Sequence, residues 1–450
     1  MNKKVLVFGS GISGIGASRL LEAVGKEVIL YDAKKDLDPN AMKAQIGETT
    51  KAEIILGEFP AEIIPTLEFV VMSPGVPTDL PVVNKMRDMG IAIWGEIELA
   101  YTYGKGDVLA ITGTNGKTTT TALLGEIMKN YKESVFVVGN IGNPYTTEVL
   151  GMNEDSVAVA EVSSFQLETI HTFRPCVSAI LNITPDHLNR HHTMENYILA
   201  KEDIARNQTE EDTCVLNYED DVTRKFGETV KAKVLYFSSQ RKLERGIYLE
   251  EGNIIYSADK DLDEVVICHV NELKLLGTHN YENVMAAVAM AIAYGVPMDI
   301  IRKTVKEFGG VAHRIEFVCE KEGVAYYNDS KGTNPDAAIK GIQAMNRPTL
   351  LIGGGYDKDS EFDEWIEAFD GKVKYFVLLG QTKEKIAETA KRLGFENVIL
   401  TESLEEAVAT CHRLAQEGDA VLLSPACASW GMFKNFEERG DIFKELVRAL

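Results

Sequence analysis

Residues 108–119 read VLAITGTNGKTT, and this stretch decides how the centre of the chain folds. Val108 to Thr112 is a short apolar run of the kind that enters a sheet. Gly113 to Gly116 interrupts it, and Lys117 opens a helix whose apolar face carries Leu123, Leu124, Ile127 and Met128. In such a strand, glycine loop and helix, the loop N–H groups cradle phosphate, the Lys117 ammonium reaches the β and γ oxygens, and the Thr118 hydroxyl holds Mg2+. The spacing is a shortened P-loop, G-x-x-G-K-T, because the first glycine of the longer motif would fall at Ile111. A Gly/Thr-rich turn could give the same string by chance. The strand before it and the amphipathic helix after it favour ATP binding by Gly113, Thr114, Asn115, Gly116, Lys117, Thr118 and Thr119.

Working outward, the first hundred residues alternate apolar runs with helical patterns: VLVF (5–8), VIL (28–30), EIIL (53–56), EFVVM (68–72) and IAIW (91–94). This alternation predicts a parallel sheet, and YTYGKGD (101–107) marks a boundary near residue 100. A second parallel series follows VLAIT, namely VFVV (135–138), VAVAEV (157–162) and VSAILNI (177–183). Between about 213 and 276 the pattern turns hairpin-like, as in GIYLEEGNIIYS (246–257), and predicts a small antiparallel appendage. A helix over 281–294 closes this part. Strands restart at VAYY (324–327), TLLI (349–352), YFVLL (375–379), VIL (398–400) and AVLL (420–423). The expectation is an α/β protein of three domains: a Rossmann-like unit over 1–100, a P-loop unit over 101–310 and a second Rossmann-like unit over 311–450.

A length of 450 residues with 45% hydrophobic and 26% charged residues suits such a multidomain globular chain and excludes a disulfide-stapled miniprotein. The net charge of −21 argues against polyanions and anionic membranes as partners. Six dispersed cysteines, with no C-x-x-C, read as reduced thiols in a soluble cytoplasmic protein. MNKK followed by four apolar residues is too short for a signal peptide, and the apolar run Val284 to Val296 is too short for a membrane span. The chain is read as a monomer acting on small molecules.

Further motifs gather at strand ends. GSGISG (9–14) follows the first strand, with Asp32 ending the second, and suits either a nucleotide diphosphate or glycines that serve only packing. SPGV (73–76) follows another strand and lines the same crevice. Glu161 lies on VAVAEV and Asp186-His187 follow VSAILNI, where acids could hold Mg2+ or merely cap. Lys201 taken alone reads as a solvated helical lysine. In the third unit, Arg314, Lys331 and Lys358 are either anion-recognising or surface cations.

Together these strings resemble the Mur ligases of peptidoglycan synthesis. The resemblance runs from residue 9 to residue 440 through GSGISG, SPGVP, GTNGKTT, GNIGNP, EVSSFQLE, NITPDHLNRH, AKEDI, GTHNYEN, AHRIE, NDSKGTN, GGGYDK and SPACASWGMFKNFEERG. EVSSFQLE and SPACAS point to the D-glutamate-adding branch. The resemblance implies ATP-dependent amide formation through an acyl phosphate on UDP-N-acetylmuramoyl-L-alanine. It places Lys117 on the transferring phosphoryl, Thr118 and Glu161 on one Mg2+, His187 on a second, and a CO2-derived carbamate on Lys201. Asn283, Arg314 and Asp329 would contact ATP. Ile12, Ser13, Ser73, Gly75, Asn140 and His187 would hold the UDP-sugar, and Thr333, Lys358, Ser429 and Phe436 would hold D-glutamate. Asp32-Ala33-Lys34 departs from the Asp-Thr-Arg of some members.

Three other readings compete. A folate-polyglutamate-type ligase would not need GSGISG, an NAD-dependent oxidoreductase leaves GTNGKT and Glu161 unexplained, and a nucleotide sensor would need no chemistry at all.

Overall fold

The computed structural model describes residues 3–358 and 360–450. Strands β1 (Lys4–Phe8), β2 (Val28–Asp32), β3 (Glu53–Leu56), β4 (Leu67–Met72) and β5 (Ala92–Gly95) form an all-parallel sheet in the order β3-β2-β1-β4-β5. Val5, Leu6 and Val7 are fully buried, as a parallel strand covered on both faces requires. The connections reverse direction between β1 and β4, so the loops after these two strands meet at a topological switch point. Ser73 bridges them: its N–H donates to the Phe8 carbonyl at 2.9 Å and its hydroxyl to the Gly9 carbonyl at 3.0 Å.

The second sheet has nine strands: β6 (Asp107–Thr112), β7 (Val135–Gly139), β8 (Val157–Glu161), β9 (Val177–Ile180), β10 (Thr213–Asn217), β11 (Lys233–Ser238), β12 (Gly246–Glu250), β13 (Asn253–Ser257) and β14 (Val265–His269). Their order is β14-β13-β12-β11-β10-β9-β6-β8-β7, so β6, which leads into GTNGKT, is flanked by β8 and β9 at this sheet's own switch point. The antiparallel part is smaller than the pattern over 213–276 suggests. Strands β10, β11 and β12 pair in parallel and continue the main sheet, and the antiparallel pairing enters at the β12–β13 hairpin. Its two-residue loop, Glu251-Gly252, has positive φ at both positions, the twist-matched geometry of tight hairpins.

The third sheet runs β15 (Glu316–Lys321), β16 (Val324–Asn328), β17 (Thr349–Gly353), β18 (Val373–Leu378), β19 (Val398–Leu400) and β20 (Ala420–Leu423), ordered β15-β16-β20-β17-β18-β19. Only its edge strand β15, a partly buried strand with three charged residues that sequence reading passed over, pairs antiparallel. Among the described residues, no helix is long and apolar enough to cross a membrane.

The chain forms two compact units. One comprises Met1–Cys268 with Glu282–Thr304, the other His269–Tyr281 with Val305–Leu450. In the first unit, a single apolar cluster runs from Val5 and Leu20 through Leu99 to Ala110 and Phe173, joining the first two sheets. The helix Glu96–Tyr103 connects them, and its Glu98 is buried. The Glu98 carboxylate accepts from the N–H groups of His171, Thr172 and Phe173 at 2.8, 2.8 and 3.0 Å, and from the Thr172 hydroxyl at 2.5 Å. His171 Nε2 in turn bonds the Ile93 carbonyl at 2.8 Å, tying the second sheet's loop to β5. Glu98→Ala strands three backbone donors, of which the Phe173 N–H is buried and the other two belong to exposed residues. Chemical denaturation should find this variant destabilised by about 1–3 kcal/mol, the cost of one buried donor without a partner. A loss under about 1 kcal/mol would mean that the carboxylate is not what joins the two sheets.

Candidate active site

The P-loop is held from below by the segment after β9. Asn182, which sequence reading put inside a strand, lies beyond the strand end at Ile180. Its carbonyl accepts from the Thr114 N–H at 2.9 Å, its side-chain oxygen from the Asn115 N–H at 2.9 Å, and its amide donates to the Asn115 carbonyl at 3.1 Å. The Thr114 hydroxyl bonds the Thr184 carbonyl and meets the Tyr197 hydroxyl at 3.0 Å. Gly116 precedes the helix Lys117–Lys129 with φ +86°, and a Cβ there would collide with the Asn283 side chain. Only glycine fits both demands. Asn283, from the helix Thr278–Tyr294, therefore sits directly against the loop, with the Thr120 hydroxyl 3.5 Å from its Oδ1. Thr118 is half-buried in the first helical turn and Thr119 is buried.

Two lysines converge here. Lys117 donates to the Gly113 and Thr114 carbonyls at 2.8 and 3.0 Å, and Lys201 donates to the same Gly113 carbonyl at 2.8 Å. Lys201 is buried, with its Nζ 4.7 Å from the centre of the Tyr197 ring. Burial first and the charge of Lys117 second push its ammonium down to about 7, against the pull of Asp186. Lys201 is therefore not a solvated helical lysine. Glu161 ends β8, also buried; its Oε1 accepts from Asn140 Nδ2 at 2.7 Å, and its Oε2 is buried with no hydrogen-bond partner. An unsatisfied buried carboxylate oxygen is costly in a native site and suits a cation.

His187 follows Asp186, whose charge acts on Lys201. It has φ +52°, is half-exposed, lies 4.9 Å from the Phe165 ring and comes within 3.5 Å of Asp186. Among the described residues, no three His, Cys, Asp or Glu side chains are gathered into a metal cage. At the first sheet's switch point Ile12 is 77% exposed, an apolar side chain open to a ligand, with Ser13 beside it. A Cβ on Gly14 would collide with the Gly9 carbonyl, so the third glycine is needed for the loop to close. Ser10 donates both its N–H and its hydroxyl to one oxygen of Asp32, at 2.9 and 2.6 Å, and the Lys34 N–H donates to the other. Gly75 is exposed in the loop after β4.

In the second unit, Asp329 ends up buried just after β16, accepting from the Ser424 hydroxyl at 2.7 Å and the Ile315 N–H at 3.2 Å. Burial pushes its carboxyl up to about 7, against the hydrogen bonds from Ser424 and Ile315 and the charges of Arg314 and Arg439. Arg314 is exposed and Thr333 half-buried. Lys358 lies over the Trp430 ring at 4.8 Å, Ser429 is buried, and Phe436 opens the last helix, with Lys331 5.5 Å from its ring. Sequence reading missed Arg439. This buried guanidinium donates to the Ser330 hydroxyl and carbonyl and to the Cys427 carbonyl, at 2.9, 2.8 and 3.1 Å, and so ties the loop after β16 to the loop after β20.

Comparison with known proteins follows the same three-sheet division. The "Mur ligase MurD-like, N-terminal domain" matches residues 3–95, the "Mur ligase middle domain" residues 111–291 and the "Mur ligase, glutamate ligase domain" residues 313–427. The chain belongs to the Mur ligase family. Proteins named UDP-N-acetylmuramoylalanine--D-glutamate ligase are similar over the whole chain. That of Lachnoclostridium phytofermentans is 61% identical, covering 100% of this chain and 99% of its own length, and that of Clostridioides difficile is 46% identical at the same coverage. Among solved Mur ligase structures, MurC from Thermotoga maritima aligns with a TM-score of 0.58 at 20% identity, covering 99% of each chain. MurF from Acinetobacter baumannii aligns with a TM-score of 0.60 at 18% identity, covering 99% of this chain and 94% of the other. At such identities these two structures establish the shared fold.

The Asp329 carboxyl yields a test by pH. Its folded value lies above the ordinary carboxylate value, so the folded state holds a proton that the unfolded chain releases at about pH 4. The stability tied to this proton is full below about pH 4 and is lost as pH rises through about 7. Relative to the wild type, Asp329→Asn should gain stability between pH 5 and pH 8 in urea denaturation. A pH-independent difference would refute the assignment.

Proposed function

We propose that this Mur ligase joins D-glutamate to UDP-N-acetylmuramoyl-L-alanine at the expense of ATP, in peptidoglycan precursor synthesis. The observation that carries the reading is full-length identity of 46–61% with proteins of that name. We assign the UDP-sugar to residues 1–100, ATP to 101–310 and D-glutamate to 311–450. A carboxylate is a poor electrophile toward an amine. Transfer of the ATP γ-phosphoryl to the substrate carboxylate gives a mixed anhydride and ADP. The D-glutamate amine then attacks the acyl carbon and loses a proton, and phosphate leaves. The enzyme's work is to place two anions side by side and offset their charge.

Lys117, fixed against the loop, is suited to accompany the moving phosphoryl. Asn140, bonded to Glu161 Oε1, orients the carboxylate and leaves its Oε2 without a partner. That buried, unsatisfied Oε2 fits Mg2+, and Glu161 with Thr118 would hold one ion, with His187 at a second. When bound, Mg2+ supplies charge neutralisation at the phosphate oxygens. Ile12, Ser13, Ser73 and Gly75 line the diphosphate crevice. Arg314 and Asp329 are assigned to the nucleotide, and Thr333, Lys358, Ser429 and Phe436 to D-glutamate.

Lys201 is assigned as a carbamate. Its depressed amine is partly neutral at physiological pH, and attack of the nitrogen lone pair on CO2 forms an N–C bond and releases one proton. The buried cation thereby becomes an anion beside Lys117. The nitrogen keeps one hydrogen with which to bond the Gly113 carbonyl.

Phosphate release measured with UDP-N-acetylmuramoyl-L-alanine, D-glutamate, ATP and Mg2+ should depend on all four. Release independent of D-glutamate, or turnover with folate in place of the UDP-sugar, would reject the reading. Lys117→Ala should lower kcat at least about 100-fold, the scale of losing an electrostatic contact to the reacting group. Lys201→Ala should be inactive and should recover with added acetate or formate. Absence of recovery would remove the carbamate from the reading.

A further inference from the structure

One side chain in the first unit has a role that the proposed chemistry leaves unused. Arg190 follows His187 by three residues and is mostly buried. It donates through Nη1 to the Pro74 carbonyl at 3.1 Å and through Nη2 to Glu168 Oε2 at 2.9 Å. Its guanidinium lies 4.4 Å from the centre of the Phe165 ring. Each partner belongs to a different part of the crevice. Pro74 is the middle of the Ser73-Pro74-Gly75 loop after β4. Phe165 is the ring against which His187 rests. Glu168 also accepts from the Thr78 hydroxyl at 3.0 Å and faces His191 Nδ1 at 3.5 Å, so one carboxylate is gripped from both sheets. Arg190, Phe165, Ser73, Pro74 and Thr78 line one small pocket beside the loop after β4.

A planar fork is needed for this arrangement. Guanidinium carries donors on two sides and a flat face for stacking, and an ammonium cannot satisfy all three contacts at once. The charge of Arg190 is already matched by Glu168, so its work is geometric: it fixes the loop after β4 relative to the segment that bears His187.

We propose that Arg190 is a positioning residue that sets the UDP-sugar crevice by clamping Pro74 to Glu168 and Phe165. The inference rests on the ligase reading above and adds to it a determinant of UDP-substrate affinity outside the assigned contacts. The Arg190 partners Pro74, Glu168 and Phe165 are none of the residues assigned to ATP or D-glutamate. Loss of Arg190 therefore appears as weaker binding of one substrate out of three.

The test uses the full-length enzyme with Arg190→Lys, Arg190→Ala and Thr78→Ala. Steady-state kinetics are measured for each substrate, and binding of UDP-N-acetylmuramoyl-L-alanine is measured separately by calorimetry in the absence of ATP. Arg190→Lys should raise the KM and Kd for the UDP-substrate about tenfold or more, with the KM values for ATP and D-glutamate within about twofold of wild type. Thr78→Ala should move the same two quantities in the same direction, and keeps the test open if Arg190→Ala does not fold. Guanidinium added to Arg190→Ala at millimolar concentration should restore part of the affinity. An unchanged UDP-substrate KM in Arg190→Lys, or a uniform loss of activity across all three substrates, would overturn the proposal. A wild-type enzyme that neither binds nor turns over the UDP-substrate would instead overturn the ligase reading.

Discussion

The Gly113 carbonyl oxygen accepts from two lysines, and the electrostatics of the site follow from that shared acceptor. Burial of Lys201, and after it the charge of Lys117 on the same oxygen, make Lys201 lose its proton far more readily than a free lysine. The arrangement exists because β6 lies between β8 and β9. Gly113, at the end of β6, is thus next to Glu161 at the end of β8 and to Asn182 just past β9. Tyr197 completes it from the helix Met194–Glu202, placing its hydroxyl on Thr114 and its ring beside Lys201. Lys117 offers an anion a partner and the unsatisfied Glu161 oxygen offers one to a cation, the two kinds of charge an acyl-phosphate reaction brings together.

The same logic explains how the first two sheets act as one body. Parallel sheets expose their functional loops at carboxyl ends, and on the proposed reading a substrate that is a nucleotide diphosphate at one end and a reacting carboxylate at the other spans two such ends. Glu98, buried and accepting four hydrogen bonds, the His171 contact to Ile93 and the common apolar cluster hold the two switch points at a set spacing. Fixed spacing means that the orientation of the bound substrate is decided before the chemistry begins.

Most strands were legible because parallel strands are buried on both faces and appear as uninterrupted apolar runs: Val5–Phe8, Val157–Ala160 and Ala420–Leu423 were readable directly. Strand β15 was not, because its three charged residues sit on a partly buried edge where burial imposes no run. Strands β10 and β11 precede the hairpin at Gly246–Ser257 in sequence yet pair in parallel, and strand direction is a tertiary property that periodicity does not carry. At the site, glycine loops and strand-end acids were visible because backbone geometry restricts residue type there. The supports were not. Asn182, Tyr197, Arg190 and Arg439 act through side chains that reach across tens of residues of sequence, and nothing local distinguishes a buried arginine from a solvated one.

The net charge of −21 completes the argument. Every substrate of the proposed reaction is an anion, so the overall field opposes each of them, and attraction must come from groups that water does not screen. Burial supplies this. Arg439 lies in surroundings where a guanidinium is destabilised enough to fall to about 10, and Lys117 is held against the Gly113 and Thr114 carbonyls. A cation held at such a cost interacts strongly with whatever anion, carboxylate or modified side chain comes next to it. An acidic surface and a few desolvated cations are therefore compatible: the surface discourages polyanions, while the interior charges act over a few ångströms on small ones.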